Sequence, residues 1–379
     1  MLKFYVANDN GNSEQDMVIN DTFLASPNVL ARVMRLPNLD EVSHDEVLKR
    51  IHDNLIVSVD GATYYIGSYA LASNRPCRSI TVGVDNNKVT SDIVYINTLA
   101  HIAGEAVKVA NEKGSAESVI PVTVEMTTAI PVSYYTKTSA TTFEEKFTKK
   151  EHTVHVFVGP KEYTVLVTFS FVKCIPEGVT ASHAFLAKPK LFDPSGKTDK
   201  ERIMNERILH VAIGEGTTEF PLTTGIAFNP NFISGTHNGN GHAIARVLDL
   251  FKEDFGLMNI TRQDFSRYIR DDRHKYHQEA MAYLLPALDD EAEAILRKAE
   301  QVILAANNEV DVVAVYGGGS ILMKEALKNR LDAFCKRARI RLLYIEDPKE
   351  AVALEAEGLN AFLHSPLFEA LKERAKKTA

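Results

Sequence analysis

LHVAIGEGTTEFP, residues 209–221, is the stretch whose reading decides the fold. Leu209 to Ala212 is mostly apolar, with His210 among them, and reads as a buried strand. A Gly-x-Gly turn follows at Gly214 and Gly216, then two threonines, an acidic residue, Phe220 and Pro221. Glycines after a strand let the backbone reach positive φ and bring its N–H groups close to a ligand. Successive N–H groups in such a turn form an anion-binding concavity. The hydroxyls of Thr217 and Thr218 add donors. Two readings are open, a phosphate-gripping hairpin and a tight surface hairpin. A lone Gly-x-Gly favours the surface hairpin, so the other walls of a site must come from the rest of the chain.

At 379 residues the chain is long for one core, and two domains are expected. Hydrophobic residues make up 45% and charged residues 25%, values of an ordinary globular protein. A formal net charge of −7 argues against extensive wrapping of nucleic acid, which needs a basic footprint. Contact through a partner stays open. Cys77, Cys174 and Cys335 are far apart and lack metal-binding spacing. Buried thiols in a reducing cytosol are expected, not disulfides or zinc. No apolar run reaches the length of a membrane span. The start, MLKFYVAND, lacks the regions of a signal peptide. A cytoplasmic protein without membrane contact is the expectation.

Outward from 209–221, a second strand–turn–strand stands at the start of the chain. Leu2 to Ala7 is apolar-rich, NDNGNS (8–13) is a turn, and Asp16–Asn20 is the return strand. With Asp9 placed over Ala212, Gly11 falls on Gly214, and Asn12 and Ser13 fall on Glu215 and Gly216. Each copy starts one half of the chain, the pattern of an internal duplication. Between them, Asp60-Gly61 marks a hairpin, and Asn97 to Lys113 has helical apolar spacing with Gly114 as its cap. Residues 140–150 are polar and charged and read as an exposed loop or projecting hairpin. Lys188 to Lys200 is rich in Pro, Gly and charge and reads as a linker. Residues 276–307 read as helix interrupted or kinked near Pro286. His242, His274 and His277 form no ligand set and read as surface or helix-face residues.

Asp311 to Tyr316 is a near-continuous apolar strand, as in a doubly covered parallel sheet. It runs into GGGS (317–320) and a helix expected over Ile321–Arg337. Three glycines between a buried strand and a helix permit flat approach by a ligand, and the helix N-terminus favours anions. The turn lacks both a P-loop lysine and the spacing of a dinucleotide fingerprint.

Three glycine turns after three buried strands carry a resemblance. The chain resembles the actin-like ATPases and, among them, the ParM-type plasmid-segregation filament proteins. The matching stretches are VANDNGNS (6–13), VTVEMTTAIPVSYY (122–135), CIPEG (174–178), AIGEGTTEFP (212–221), VYGGGS (315–320) and ALEAEGLNAFL (353–363). The resemblance implies an α/β, actin-like duplicated ATPase fold, two domains around an interdomain nucleotide cleft. Domain I would be 1–192 plus 351–379, and domain II 193–350. The resemblance further implies that Asp9 holds magnesium through water. Gly11, Asn12 and Ser13 would contact phosphate from domain I, and Gly214, Glu215, Gly216 and Thr217 from domain II. Gly317, Gly318 and Gly319 would bound the adenosine. Glu177, together with Asp9, would serve hydrolysis, Glu177 by orienting or polarising the attacking water.

The function implied is that of an ATPase whose nucleotide state drives head-to-tail polymerisation. The cofactors are ATP or GTP, their diphosphates and magnesium. The partners are other copies of the chain and a DNA-binding adaptor, with plasmid DNA reached only indirectly. One departure matters. Ala212 stands where the pattern has aspartate, and Asp9 holds the equivalent place in the first copy. Alanine cannot accept a hydrogen bond from metal-bound water or orient a nucleophile. Nucleotide binding with slow hydrolysis is expected. Glu215 could compensate only if its side chain turned toward the site. The alternative on the same scaffold is a sugar- or acetate-type kinase, for which no sugar-binding set is found. A chaperone-like switch would need a peptide-binding domain for which no residues remain. The C-terminal PLFEALKERAKKTA has one apolar side and a basic end, and is expected to dock on domain I instead of anchoring to a membrane.

Overall fold

Val6, Ala7 and Asn8 are buried in succession, as in a strand covered on both faces, and this strand, Leu2–Asn10 (β1), is the spine of the first half of the chain. The computed structural model describes residues 1–80, 88–115, 117–197 and 199–378. The chain forms two compact units. Unit 1 holds Met1–Ile130, Tyr134–Pro176 and the chain from Ala356 onward; unit 2 holds Pro131–Ser133 and Glu177–Glu355.

In unit 1, β1 is followed by β2 (Glu14–Ile19), β3 (Thr22–Pro27), β4 (Val29–Val33), β5 (Ile56–Val59), β6 (Ala62–Ile66), β7 (Arg78–Ser79), β8 (Val119–Ile130), β9 (His152–Val158) and β10 (Lys161–Pro176). Among the described residues they make one sheet in the order β3-β2-β1-β8-β10-β9-β5-β6-β4-β7. β1, β8 and β10 run parallel, and β2 returns antiparallel beside β1. The helix Asp92–Glu112 covers this sheet. Ser91 caps its start, and Gly114 leaves its end at φ 71°, the left-handed conformation that glycine adopts without strain.

Two expectations are corrected in and beside this unit. Residues 140–150 are not a loop: Lys137–Thr148 is a helix, opened by a reciprocal cap between Thr136 and Ser139. Ala140, Phe143 and Phe147 recur at helical spacing and are buried, so the charge run is the outer face of an amphipathic helix. Cys174 and Cys335 are buried thiols, but Cys77 is exposed, in the chain that follows the Gly67–Ala72 helix. The closing helix Pro366–Thr378 docks on unit 1. Phe368 is fully buried with its ring 5.1 Å from that of Phe171, and Lys372 donates to Glu125 on β8 at 3.0 Å. Among the described residues no helix is long and apolar enough to cross a membrane.

Unit 2 repeats the plan. Its strands are β11 (Arg207–Ile213), β12 (Thr218–Glu219), β13 (Leu222–Thr224), β14 (Ala227–Phe228), β15 (Gly235–Thr236), β16 (Val312–Tyr316) and β17 (Arg341–Tyr344). β11, β16 and β17 run parallel, and β12 returns antiparallel beside β11. A hairpin beside three parallel strands thus occurs once in each unit. Residues 188–200 are not a bare linker, since Pro189–Phe192 is helical and Phe192 is buried against Phe185. His277–Ala305 is one continuous helix with Pro286 inside it, at the loss of one backbone hydrogen bond. The helical region after GGGS is two helices, Gly318–Leu322 and Lys324–Ala338.

Candidate functional site

In unit 1, Asp9 faces Asp16 and Asn10 faces Gln15 across the β1–β2 ladder, which leaves residues 11–14 as the turn. Gly11 is required there. A Cβ at this position would lie 2.4 Å from the Glu14 carbonyl oxygen. Asn28 holds the turn with two bonds: its side-chain amide donates to Gly11 O at 2.8 Å and its backbone N–H to Ser13 O at 2.8 Å. Asn97 in turn donates to Asn28 Oδ1 at 2.6 Å. Asn8 donates to Thr98 Oγ1 at 2.9 Å, Gln15 to Asn8 Oδ1 at 2.8 Å, and Asn10 to Thr128 Oγ1 at 3.2 Å. These amides are buried, so the network fixes a single hairpin conformation. Sequence reasoning did not single them out. Their signal was polar residues at alternate positions of an otherwise apolar strand.

Asp9 and Asp16, as direct cross-strand partners, share the opposite face of the hairpin. Asp16 is only 8% exposed, and its Oδ1 has no hydrogen-bond partner among the described residues. Burial, then the charges of Asp9 and Glu14, hold its carboxyl well above the usual carboxylate range. Two carboxylates across one ladder, with a buried oxygen unengaged, are donor chemistry that suits a hard dication. Asn12 is buried and Ser13 half-buried on the turn.

In unit 2 the same register recurs. Ala212 faces Glu219 and Ile213 faces Thr218, and Gly214 N–H closes the turn on Thr217 O at 2.9 Å. The start of the helix Asn240–Phe255 is laid against this turn. Gly241 N–H donates to Glu215 O at 2.8 Å, and His242 Nε2 to Gly216 O at 3.0 Å. His242 is therefore a half-buried residue on the helix that supports the hairpin, in line with its helix-face reading. The Glu215 carboxylate pairs with Arg262 at 3.4 Å, so what this residue offers to the turn is its backbone. Ala212 brings no carboxylate. The acid of this hairpin, Glu219, stands across the ladder and leans toward β15, where a Cβ at Gly235 would fall 2.3 Å from its Oε2.

The GGGS turn interlocks with the second hairpin. Gly317 sits at φ 93°, and a Cβ there would lie 2.4 Å from Ile213 O. A Cβ at Gly319 would lie 2.5 Å from Ile213 Cγ2 and 2.8 Å from Gly214 O. Gly318 differs: its nearest neighbour would be Val352 Cγ2 at 3.7 Å, ordinary contact. Gly317 and Gly319 are thus packing glycines, and Gly318 is the one that leaves an open surface for a flat ligand.

Half-buried Glu177 opens the third element. The next residue, Gly178, has φ 82°, and its Cβ would lie 2.7 Å from Pro221 Cγ at the exit of the second hairpin. Tyr316 OH donates to Gly178 O at 2.9 Å. Having given away its one proton, the phenol accepts from His210 Nδ1 at 3.2 Å. His210 Nε2 then accepts from the hydroxyl pair of Ser182 and Thr223, which lie 3.1 and 3.0 Å from it and 3.1 Å from each other. Full burial pushes the imidazole down to about 3, so it stays neutral. Through these bonds and packings, unit 2 brings the 214–217 turn, the 317–319 turn and the Glu177–Gly178 turn together at the ends of β11 and β16. Unit 1 brings together Asp9, Gly11, Asn12 and Ser13.

Residues 7–179 match the family model for the N-terminal domain of actin-like proteins. Among solved structures, the chain is similar to the actin-like protein Alp7A, with 18% identity, 100% of this chain and 99% of that one covered, and a TM-score of 0.68. It is similar to Ta0583, an archaeal actin homologue in complex with ADP, with 16% identity, coverage of 96% and 100%, and a TM-score of 0.64. It is also similar to Bacillus thuringiensis ParM with ATP, with 17% identity, coverage of 98% and 100%, and a TM-score of 0.60. At these identities the likeness establishes an actin-like fold. No curated protein sequence matches.

Proposed function

We propose that this actin-like chain binds a nucleoside triphosphate, ATP or GTP, and assembles head-to-tail into filaments that move plasmid DNA through a DNA-binding adaptor. The observation that carries the reading is the duplicated hairpin beside three parallel strands, with the GGGS turn locked onto the second copy. In this reading domain I is 1–192 plus 351–379 and domain II is 193–350. Gly11, Asn12 and Ser13 hold phosphate from the first hairpin. Gly214, Glu215, Gly216 and Thr217 do so from the second, Glu215 through its backbone. Gly318 borders the adenosine, and Gly317 and Gly319 shape the turn that presents it. Asp9 holds magnesium through water; the ion, when bound, neutralises phosphate charge. Glu177 orients the attacking water, and Ala212 leaves hydrolysis slow. The net charge of −7 suits DNA contact through an adaptor better than direct wrapping.

Light scattering and pelleting of the purified chain test the reading. Addition of ATP or GTP with magnesium at micromolar protein is expected to raise scattering and move the protein into the pellet. No polymer with either nucleotide, together with phosphorylation of a small acceptor, would instead support a kinase.

A further inference from the structure

The two hairpins have turns of equal length, so their cross-strand pairs can be compared position by position. Ala212 faces Glu219 in the second, a single acid whose carboxylate has room over Gly235. Asp9 faces Asp16 in the first, two acids on one face. Like charges directly opposite each other destabilise a ladder. The pair cannot escape by slipping, because the amide network of Asn8, Asn10, Gln15 and Thr98 on the other face fixes the register. It cannot escape into water either, because Asp16 is 8% exposed and its Oδ1 is buried without a hydrogen-bond partner among the described residues.

We infer that Asp16 is a ligand in its own right for a divalent cation at the first hairpin, beside Asp9, which holds that cation through water. Magnesium keeps several waters and is commonly bound through one or two carboxylates plus phosphate oxygens, so two acids suffice. A dication between them turns their repulsion into attraction and engages the orphan oxygen. Asp16 is 8% exposed, so an ionised carboxylate there needs a counter-charge, which the cation supplies. The inference deepens the nucleotide reading and rests on it only for the phosphate oxygens that complete the coordination. The seat itself is tested without nucleotide.

The full chain is stripped with EDTA and titrated with Mn(II), the free ion being followed by electron paramagnetic resonance. One bound Mn(II) per chain is expected. Asp16→Asn is expected to weaken it by roughly tenfold or more, the scale for loss of a metal-site partner. The circular dichroism spectrum and unfolding temperature of the same variant in EDTA should match those of the unaltered chain, which reports an intact fold. Wild-type affinity for Mn(II) in Asp16→Asn, or no bound Mn(II) in the unaltered chain, would overturn the inference and leave Asp16 a buried, protonated acid. If Asp16→Asn does not fold, the unaltered chain decides alone: magnesium must raise its unfolding temperature without nucleotide, and no rise overturns the inference. Loss of ATP-driven pelleting with Mn(II) binding retained would count against the filament reading and not against the seat.

Discussion

Asn28 holds the first hairpin turn by a side-chain amide on Gly11 O and a backbone N–H on Ser13 O, with Asn97 behind it. The second turn is held chiefly by backbone packed on backbone, at Gly239 against Glu215 O and at Gly317 and Gly319 against Ile213 and Gly214, with one side-chain bond from His242 to Gly216 O. The register is the same, but one copy is braced by buried amides and the other by missing side chains. A hydrogen-bonded amide frame restrains geometry bond by bond and fails by one bond at a time. A glycine interlock fails at once, because a Cβ inside 2.5 Å of a carbonyl must displace the backbone. The frame in unit 1 leaves a face free for two acids. The interlock in unit 2 couples the 214–217 turn to the loop that presents Gly318.

The interlock is where the comparison is most easily broken. Gly317→Val adds side-chain atoms where a Cβ already overlaps Ile213 O, at a φ that valine avoids. A loss of about 3 kcal/mol or more is expected in urea unfolding. Gly318→Ala, one residue on, should change stability by less than about 0.5 kcal/mol while weakening ADP binding. Equal stability losses at 317 and 318 would break the division into packing and ligand-facing glycines.

A smaller effect sharpens the same contrast. The second hairpin is braced by a titratable group, His210, and the bonds that brace the first come from amides and hydroxyls. The folded imidazole lies at about 3, below the 6.5 of an unperturbed histidine. The fold therefore gains most from neutral His210 above about pH 6.5 and loses that gain as pH falls toward 3, because the unfolded chain takes up the proton first. His210→Asn should flatten the fall in stability between about pH 6.5 and 4 relative to the unaltered chain. Parallel curves would show that His210 contributes nothing to the pH response.

Much of this was legible in the residues. The strand, turn and threonines of 209–221, the parallel core strand ending at Tyr316 and the matching turn at 8–13 carry local signals that survive folding. The helical spacing that starts at Asn97 falls five residues short of the start of Asp92–Glu112, whose cap is Ser91. The helix at 137–148 was hidden because its lysines and glutamates outnumber the apolar residues that define its buried face. The Asp9–Asp16 pair was missed for another reason: cross-strand partners depend on the number of turn residues, and a return strand placed from Asp16 left that number wrong by two. The distinction among Gly317, Gly318 and Gly319 lies in their distances to Ile213 and Val352, long-range contacts with no local signature.

The most direct test lies at the position where the two copies differ. Steady-state ATP hydrolysis is compared between the unaltered chain and Ala212→Asp, with magnesium and equal nucleotide occupancy. The expected result is faster hydrolysis in Ala212→Asp by roughly tenfold or more, the scale of a well-placed acid–base or water-orienting group. ATP affinity should stay nearly unchanged, because the turn backbone proposed to hold phosphate is untouched. Equal rates at equal occupancy would contradict the account, and would mean that the second hairpin does not take part in hydrolysis through residue 212.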